Sequence, residues 1–408
     1  MNVSVIAFRN VFRNRRRSLL SIIAIAVAAF SITMLFSVLE GIKVDVRRNS
    51  WNYETGQVRL RNTDFDRYEH LNPTHYVVPE YERLVERLRE KPAVSDISPR
   101  INISAAAFRD DTQIAAQGLG VDLELEPRYQ DLDSVVAEGR LPEPGTSEAI
   151  VGYALARDLG VDIGDQATFL TQTRLRTSNA FTVDIVGLAN FPMAGMNSSA
   201  FILPFDQAAR YLRMGDAASE ILVKSGNGDL DELTADVRDA VRESGVEGLT
   251  VTPWTEVSGG WAYLQVADAV YNIIALVFFI LGSTVVINTT MMTIHERTSE
   301  IGTLGAMGMH GGELVRLFFT EAAYLGLAGS FIGVLMGIGL TIPLQHLGID
   351  FGETMEMANM DISSVLYPVL NLRSTLVVFL YSAAVAMAAS VVPARRAAKL
   401  KPVEALRA

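Results

Sequence analysis

The chain has 408 residues, no cysteine, 46 acidic against 35 basic side chains and a formal net charge of −11. An acidic chain is repelled by phosphate backbones, which argues against a nucleic-acid partner, and a chain without thiols has no disulfide framework. Its 49% apolar share resembles that of an ordinary globular protein only because very unequal segments are averaged together.

The first 39 residues contain Arg9, Arg13, Arg15, Arg16 and Arg17 and no acid. Ile6, Phe8, Val11 and Phe12 share one helical face and Arg9, Asn10, Arg13 and Asn14 lie largely on the other. This predicts a short interfacial helix within residues 1–17, lying on the inner leaflet. Ser18 to Leu39 then runs for 22 residues without an ionisable side chain. As a helix it reaches ~33 Å, enough to cross a hydrocarbon core of ~30 Å. Ala24, Ala26 and Ala28 imitate a signal-peptide cleavage site, but the apolar run continues past them and exceeds an h-region of roughly 7–15 residues. An uncleaved anchor over 18–39 is expected.

Residues 40–268 form a hydrophilic insert; Glu40 to Ala269 holds 22 basic and 37 acidic side chains. Helix-like and strand-like patterns alternate, so this is expected to be an extracytoplasmic α+β domain. Pro79 to Lys91 places Tyr81, Leu84, Val85 and Leu88 on one helical face, and Ile101 to Phe108 and Thr112 to Leu119 read as strands. Phe181 to Leu188 reads as another strand, Phe205 to Leu212 as a helix, and Asp229 to Ser244 as a helix closed by Gly245. Turn-rich breaks at Leu141 to Thr146 and Gly226 to Asp229 divide it into a membrane-proximal lobe built from both ends and an inserted lobe at about 120–203.

Three further spans follow, at 269–294, 322–347 and 374–394, giving a membrane protein whose four-span α-helical bundle is ordered one span, large domain, three spans. Basic residues flanking spans stay in the cytoplasm, so the basic ends, 1–17 and 395–408, are expected inside and the acidic domain outside. The 348–373 loop, with Asp350, Glu353, Glu356 and Asp361 against Arg373, fits an outside loop. The 295–321 segment is placed inside by span parity, since it has only Arg297 and Arg316 against four glutamates.

No nucleotide-hydrolysing site is visible. None of Lys43, Lys91, Lys224, Lys399 and Lys401 follows a glycine, which excludes a Gly-Lys-Ser/Thr phosphate loop. His295-Glu296 opens like a zinc-protease motif that Arg297, Thr298 and Ser299 break, and His70 and His75 lack a third ligand nearby. No catalytic, cofactor or metal residues are therefore assigned. Gly329, Gly333 and Gly337 recur every fourth residue in the third span, a spacing that opens a groove for a neighbouring helix. Ala383, Ala384, Ala386, Ala388 and Ala389 of the fourth span are its expected partners. Asn288, Thr289 and Thr290 are expected to make interhelical hydrogen bonds rather than a polar path. Glu296, Arg297 and Glu300 precede the glycines 302, 305, 308, 311 and 312, which read either as a contact surface with a hinge or as a solvated loop.

The stretch from Asn288 to Gly339 resembles the permease domain of the FtsX/MacB-like ABC transporters. Glu296-Arg297, Glu300-Ile301-Gly302, Ala306-Met307-Gly308 and the Gly329, Gly333, Gly337 helix carry the resemblance, with Pro393 to Ala398 and Lys401 to Arg407 at the end. It implies a bacterial inner-membrane permease subunit with no cofactor of its own, ATP and magnesium being held by two copies of a separate ATPase subunit. A second permease copy or paralogue completes such an assembly. The resemblance further implies that Glu296, Arg297, Glu300, Gly302, Ala306 and Gly308, with Arg395, Arg396 and Lys399 of the tail, receive the ATPase motion and pass it to the outer domain. Gly118 to Glu126, Glu138-Gly139-Arg140, Ile150 to Leu159 and Thr252 to Glu256 look most like the lipoprotein-releasing branch, which implies release of lipoproteins or other amphipathic cargo and a periplasmic carrier or adaptor. Macrolide-type drug or peptide efflux and an FtsX-like transducer of a cell-wall hydrolase are the alternatives. The loop Thr171 to Ala180 departs from the branch: where a carrier-docking hairpin would project, it is short and has no proline.

Overall fold

A computed structural model describes residues 3–13, 15–71, 73–109, 112–226, 228–351, 363 and 365–399. The end of the chain matched above, Lys401 to Arg407, lies outside the described residues. In chain order the main elements begin with α1 (Val3–Arg13), α2 (Arg15–Asn49), β1 (Val58–Asn62), α3 (Tyr81–Arg89), β2 (Val94–Arg109), β3 (Thr112–Val121) and α4 (Glu126–Tyr129). Next come β4 (Val136–Gly139), β5 (Glu148–Gly152), α5 (Tyr153–Leu159), β6 (Gln166–Gln172), β7 (Ser178–Ala189), β8 (Ala200–Pro204) and α6 (Phe205–Leu212). The chain continues through β9 (Glu220–Ser225), α7 (Leu230–Ser244), β10 (Leu249–Pro253), α8 (Gly259–Glu296), α9 (Thr298–Ala306), α10 (Gly311–Leu347) and α11 (Leu372–Ala397). Two compact units result: one of Met1–Lys43, Gln265–Ile349 and Leu366–Ala408, the other of Val44–Leu264 and Asp350–Val365.

In the first unit α2, α8, α10 and α11 are long and apolar enough to cross a membrane. The helices outrun their charge-free stretches: nothing between Leu39 and Asn49 breaks a helix, and the Lys43 to Asp268 ion pair joins α2 to α8 beyond both runs. Much of α8 stays uncovered, with Val266, Ile273, Leu276, Ile280 and Leu281 exposed, as suits a surface facing hydrocarbon. The glycine stripe of α10 has a different partner from the one its spacing suggested. A Cβ on Gly329 would lie 2.8 Å from Ile25, one on Gly333 2.8 Å from the Ala29 side chain, and one on Gly337 2.7 Å from Thr33, all on α2. Ala383 and Ala386 of α11 instead meet Gly326. A four-residue spacing fixes which face of α10 is flat but not what lies on it, and Ala26 and Ala29 are as small as the alanines of α11.

Helix α1 packs against α10. Ala7 and Asn10 of α1 are buried while Val5, Phe8 and Phe12 are exposed. Ser4 bonds the Tyr324 hydroxyl of α10 at 2.6 Å, and the Phe8 ring meets Tyr324 edge-on at 5.6 Å. The small and polar positions pack on protein, leaving the phenyl rings outward.

The second unit is built on a ten-stranded sheet in the order β10-β1-β9-β2-β3-β8-β5-β7-β4, with β6 pairing both β2 and β7. Those last two pairings close a ring. The Ala105 to Phe108 end of β2 pairs β3 on one edge and β6 on the other, and the ladder returns through β7, β5 and β8 to β3. Residues 120–203 supply β5 to β8 of this six-stranded barrel, and β2 and β3 supply the rest. Alternation on β7 sends Phe181, Val183 and Ile185 inward and Thr182 and Asp184 outward. Phe169 stacks on Phe201 with ring centres 4.0 Å apart and on Phe181 at 5.7 Å. Gly118 is required here, because any Cβ on it would overlap the Phe201 ring.

The open half, β10-β1-β9-β2, is covered by α3 and α7 over Leu60, Ile97 and Ile221. Asp229 caps α7 by accepting from the Asp231 and Glu232 amides, and Gly245, at φ 72°, ends it in the left-handed region. Helix α3 starts at Tyr81 rather than Pro79, because Val78 and Pro79 pair with Ala217 and Ala218 and Glu80 turns through φ 49°. Placing leucine at Gly333 is expected to overpack the α2–α10 contact and destabilise the bundle by about 1–3 kcal/mol or more, read as a lower midpoint of thermal inactivation in detergent. An unchanged midpoint would contradict the close-approach geometry.

Candidate functional site

Helix α8 ends at Glu296 because Arg297 leaves helical geometry (φ −105°, ψ 17°), and α9 restarts at Thr298. Gly308, at φ 95°, makes the turn out of α9; His310 then caps α10, with Glu313 accepting from the His310 amide at 3.1 Å. Helix α9 is held from beneath. Ile301 and Gly302 are buried, and Ile301 belongs to a cluster with Ile294, Leu314, Phe318, Ala394 and Ala397.

The charges of this segment are spent within the chain. Glu300 accepts from Arg13 of α1 at 2.5 Å and from Arg297 at 2.9 Å; Glu296 is paired with Arg17 of α2. Arg13, and after it Arg297, holds the Glu300 carboxyl below the usual carboxylate range. Arg297 is buried and faces the buried Glu321 of α10 at 3.7 Å. A cavity of about 30 Å³, room for a water or two, lies between α2, α8 and α10 and is lined by Arg17, Ser18, Ser21, Thr289, Thr290, Thr293 and Glu321 among others. Thr289 accepts from Ser21 at 3.0 Å, the kind of interhelical bond expected of the 288–290 group, while Asn288 is exposed.

The assigned residues thus separate by environment. Arg297 and Gly302 face inward; Glu296 and Glu300 are half-exposed clasps to the N-terminal helices. Ala306 and Gly308 are exposed beside Ser299, Thr303 and Met307, and Met307 is 71% exposed. Arg395, Arg396 and Lys399 are exposed at the end of α11, next to the buried Ala394 and Ala397. Gly329, Gly333 and Gly337 belong to the α2 contact. Sequence reasoning missed Arg13 and Arg17 as partners. The available signal was charge balance: five arginines and no acid in residues 1–39 against four glutamates in residues 295–321.

A second constellation lies in the other unit. After Asn49 the helix widens into a π-turn, Ser50–Glu54, whose oxygen atoms are bound by side chains from two strands and one helix of the sheet domain. Tyr129 donates to Trp51 O at 2.7 Å, Arg100 to Asn52 O at 2.5 Å, and Lys224 to the Asn52 side chain at 2.6 Å. Arg100 is fully buried and also binds Glu126 at 2.6 Å; Glu126 in turn accepts from Ser98 and Gln130. A buried pair of this kind is unforgiving of losing one member. Trp51, Trp254 and Trp261, all the tryptophans of the chain, adjoin in a row with centroid separations of 5.8 and 5.0 Å.

Among the described residues no group of three or more histidine, aspartate or glutamate side chains could hold a metal ion. The His70 side chain lies outside the described residues, and the His75 ring nitrogen lies 2.7 Å from the Arg176 guanidinium. The 173–177 connection between β6 and β7 is a tight five-residue hairpin closed by Thr173 and Thr177, with Leu175 exposed at its tip.

Comparison with known proteins gives two family matches: the FtsX-like permease C-terminal family over residues 272–402 and the MacB-like periplasmic core domain over residues 18–240. An ABC transporter permease of Methanocaldococcus jannaschii is 21% identical over 415 aligned positions, covering 100% of this chain and 98% of that protein. The lipoprotein-releasing system transmembrane protein LolC of Xylella fastidiosa is 25% identical, with 78% of each chain covered. The macrolide export ATP-binding/permease protein MacB of Paracoccus denitrificans is 23% identical over 96% of this chain and 56% of its own length.

Burial, and then Arg100, push the Lys224 amine down to about 8 from the ordinary 10.5, against the opposite pull of Glu126 and Asp96. Above pH 8 the folded state gives up a proton that the unfolded chain keeps, so this group makes stability rise between pH 8 and 10.5, and below pH 8 its full penalty applies. Thermal unfolding followed by tryptophan fluorescence from pH 7 upward is expected to show that rise in the wild type and to lose it in Lys224→Met. An identical slope in both would refute the assignment.

Proposed function

Because the chain belongs to the FtsX/MacB-like family of ABC transporter permeases, we propose that it is the membrane subunit through which two copies of a separate ATPase drive the outer domain to release lipoproteins or other amphipathic cargo from the outer leaflet of the inner membrane. A second permease copy or paralogue completes the assembly, and a periplasmic carrier or adaptor receives the cargo. Both termini lie in the cytoplasm, and ATP and magnesium stay on the ATPase.

One observation carries the reading: α9 is fastened on its inner side and bare on its outer side. Ile301 anchors it in the bundle, Glu300 clips it to α1, Glu296 ties the adjoining end of α8 to α2, and Ser299, Thr303, Ala306 and Met307 remain open to a partner. A load applied to that open face is delivered directly to two helices rather than absorbed by a loop. Such a device needs two positions biased by a ligand elsewhere in the assembly. The LolC and MacB relatives divide the choice of cargo, so macrolide-type efflux is the second reading. The compact hairpin at 173–177 favours that alternative to the extent that carrier docking needs a longer loop.

With the chain and its ATPase in vesicles carrying a lipoprotein, ATP is expected to release lipoprotein into the medium. Thr303→Arg/Met307→Asp should reduce release at least about tenfold, the effect of losing ~1.4 kcal/mol of contact, with membrane insertion unchanged. Release at wild-type rate in that variant removes α9 as the contact. Export of a macrolide without lipoprotein release would select the second reading.

A further inference from the structure

The outward side of α1 combines two features, exposed apolar side chains and exposed arginines. Val5, Phe8 and Phe12 are 48%, 50% and 57% exposed, and the two rings lean together at 4.9 Å into an aromatic shelf. Arg9, Arg15 and Arg16, next to these rings in the chain, are exposed, and among the described residues no ion pair holds any of them. The other two N-terminal arginines are occupied, Arg13 by Glu300 and Arg17 by Glu296, and residues 1–39 contain no acid of their own.

What covers this face follows from what adjoins it. The shelf is continuous in the chain with Leu19, Leu20 and Ile23, which are exposed at the start of a 22-residue uncharged helix run. That run has the length of a hydrocarbon core, so its first turns mark the headgroup level, where an amphipathic helix lays its apolar face among acyl chains and its cations among phosphates. Three uncompensated guanidinium groups distinguish acidic from zwitterionic headgroups, because a phosphocholine carries its own cation. We propose that the α1 face is a binding site for acidic phospholipids of the inner leaflet, the phosphodiester lying among Arg9, Arg15 and Arg16 and the acyl chains over Phe8 and Phe12. Since α1 also holds α9 through Arg13 and Glu300, a bound acidic lipid steadies the support of the proposed coupling helix. The site itself does not depend on the transport reading.

Native mass spectrometry of the full chain in detergent, offered equal phosphatidylglycerol and phosphatidylcholine, tests this. The wild type is expected to retain phosphatidylglycerol preferentially, and Arg9→Gln/Arg15→Gln/Arg16→Gln to lose about tenfold of that retention. Arg395→Gln/Arg396→Gln/Lys399→Gln removes the same charge elsewhere and should retain the lipid as the wild type does. Excess inorganic phosphate should not displace it, which separates a lipid site from a phosphate site. Should the first triple variant fail to insert, Phe8→Gln/Phe12→Gln replaces it with the same expected loss. Equal retention of the two lipids by the wild type, equal loss from both arginine sets, or displacement by phosphate would overturn the proposal.

Discussion

Two half-exposed carboxylates, at the end of α8 and in α9, are answered by arginines from the start of the chain. Arg13 to Glu300 and Arg17 to Glu296 join segments almost three hundred residues apart in sequence. Individually such half-exposed pairs contribute little to stability, roughly 0–1 kcal/mol. Their importance is geometric. Arg13 ties α1 to α9 beside the apolar anchorage of Ile301, and Arg17 ties the beginning of α2 to the end of α8.

The same helix, α2, recurs at each step of the structure. Along its apolar run it receives the glycine stripe of α10, a contact so close that Ile25, Ala29 and Thr33 leave no room for a methyl group. Past that run it ends in the π-turn Ser50–Glu54, whose carbonyls are held by Arg100, Tyr129 and Lys224. Burying those donors is costly; the ion pair of Arg100 with Glu126 offsets part of that cost, and the lowered Lys224 shows where it is met less well.

Much of the architecture was legible in the residues because the physics involved is local. Uncharged runs above about 20 residues identify the spans, Asp229 and Gly245 mark both ends of α7, and the alternation around Phe181 identifies a strand of the right face. What escaped is non-local. Closure of the barrel depends on Ala105 to Phe108 of β2 accepting β6 as well as β3, and no periodicity within either strand encodes that choice. The α10 stripe was recognised as a packing surface, yet its partner was taken to be the alanine-rich α11, since composition ranks candidates and only three-dimensional neighbours decide between them. In α1 the positions that meet α10 are the small Ala7 and Asn10, which allow a closer approach than Phe8 and Phe12 would. In the 295–321 segment, the division between inward Arg297 and Gly302 and outward Ser299, Thr303 and Met307 is set by how α9 packs, which the motif does not encode.

The proposed function requires that nucleotide bound by partner subunits be felt at the π-turn that ends α2. The three tryptophans of the chain, Trp51, Trp254 and Trp261, all lie at that turn, so 5-fluorotryptophan placed only in this subunit reports on it directly. In a complex assembled with its ATPase, the account predicts that ATP shifts the fluorine resonance of Trp51 and that Glu296→Gln/Glu300→Gln weakens the shift. Fluorine spectra that stay the same with and without ATP, while the complex hydrolyses it, would contradict the account.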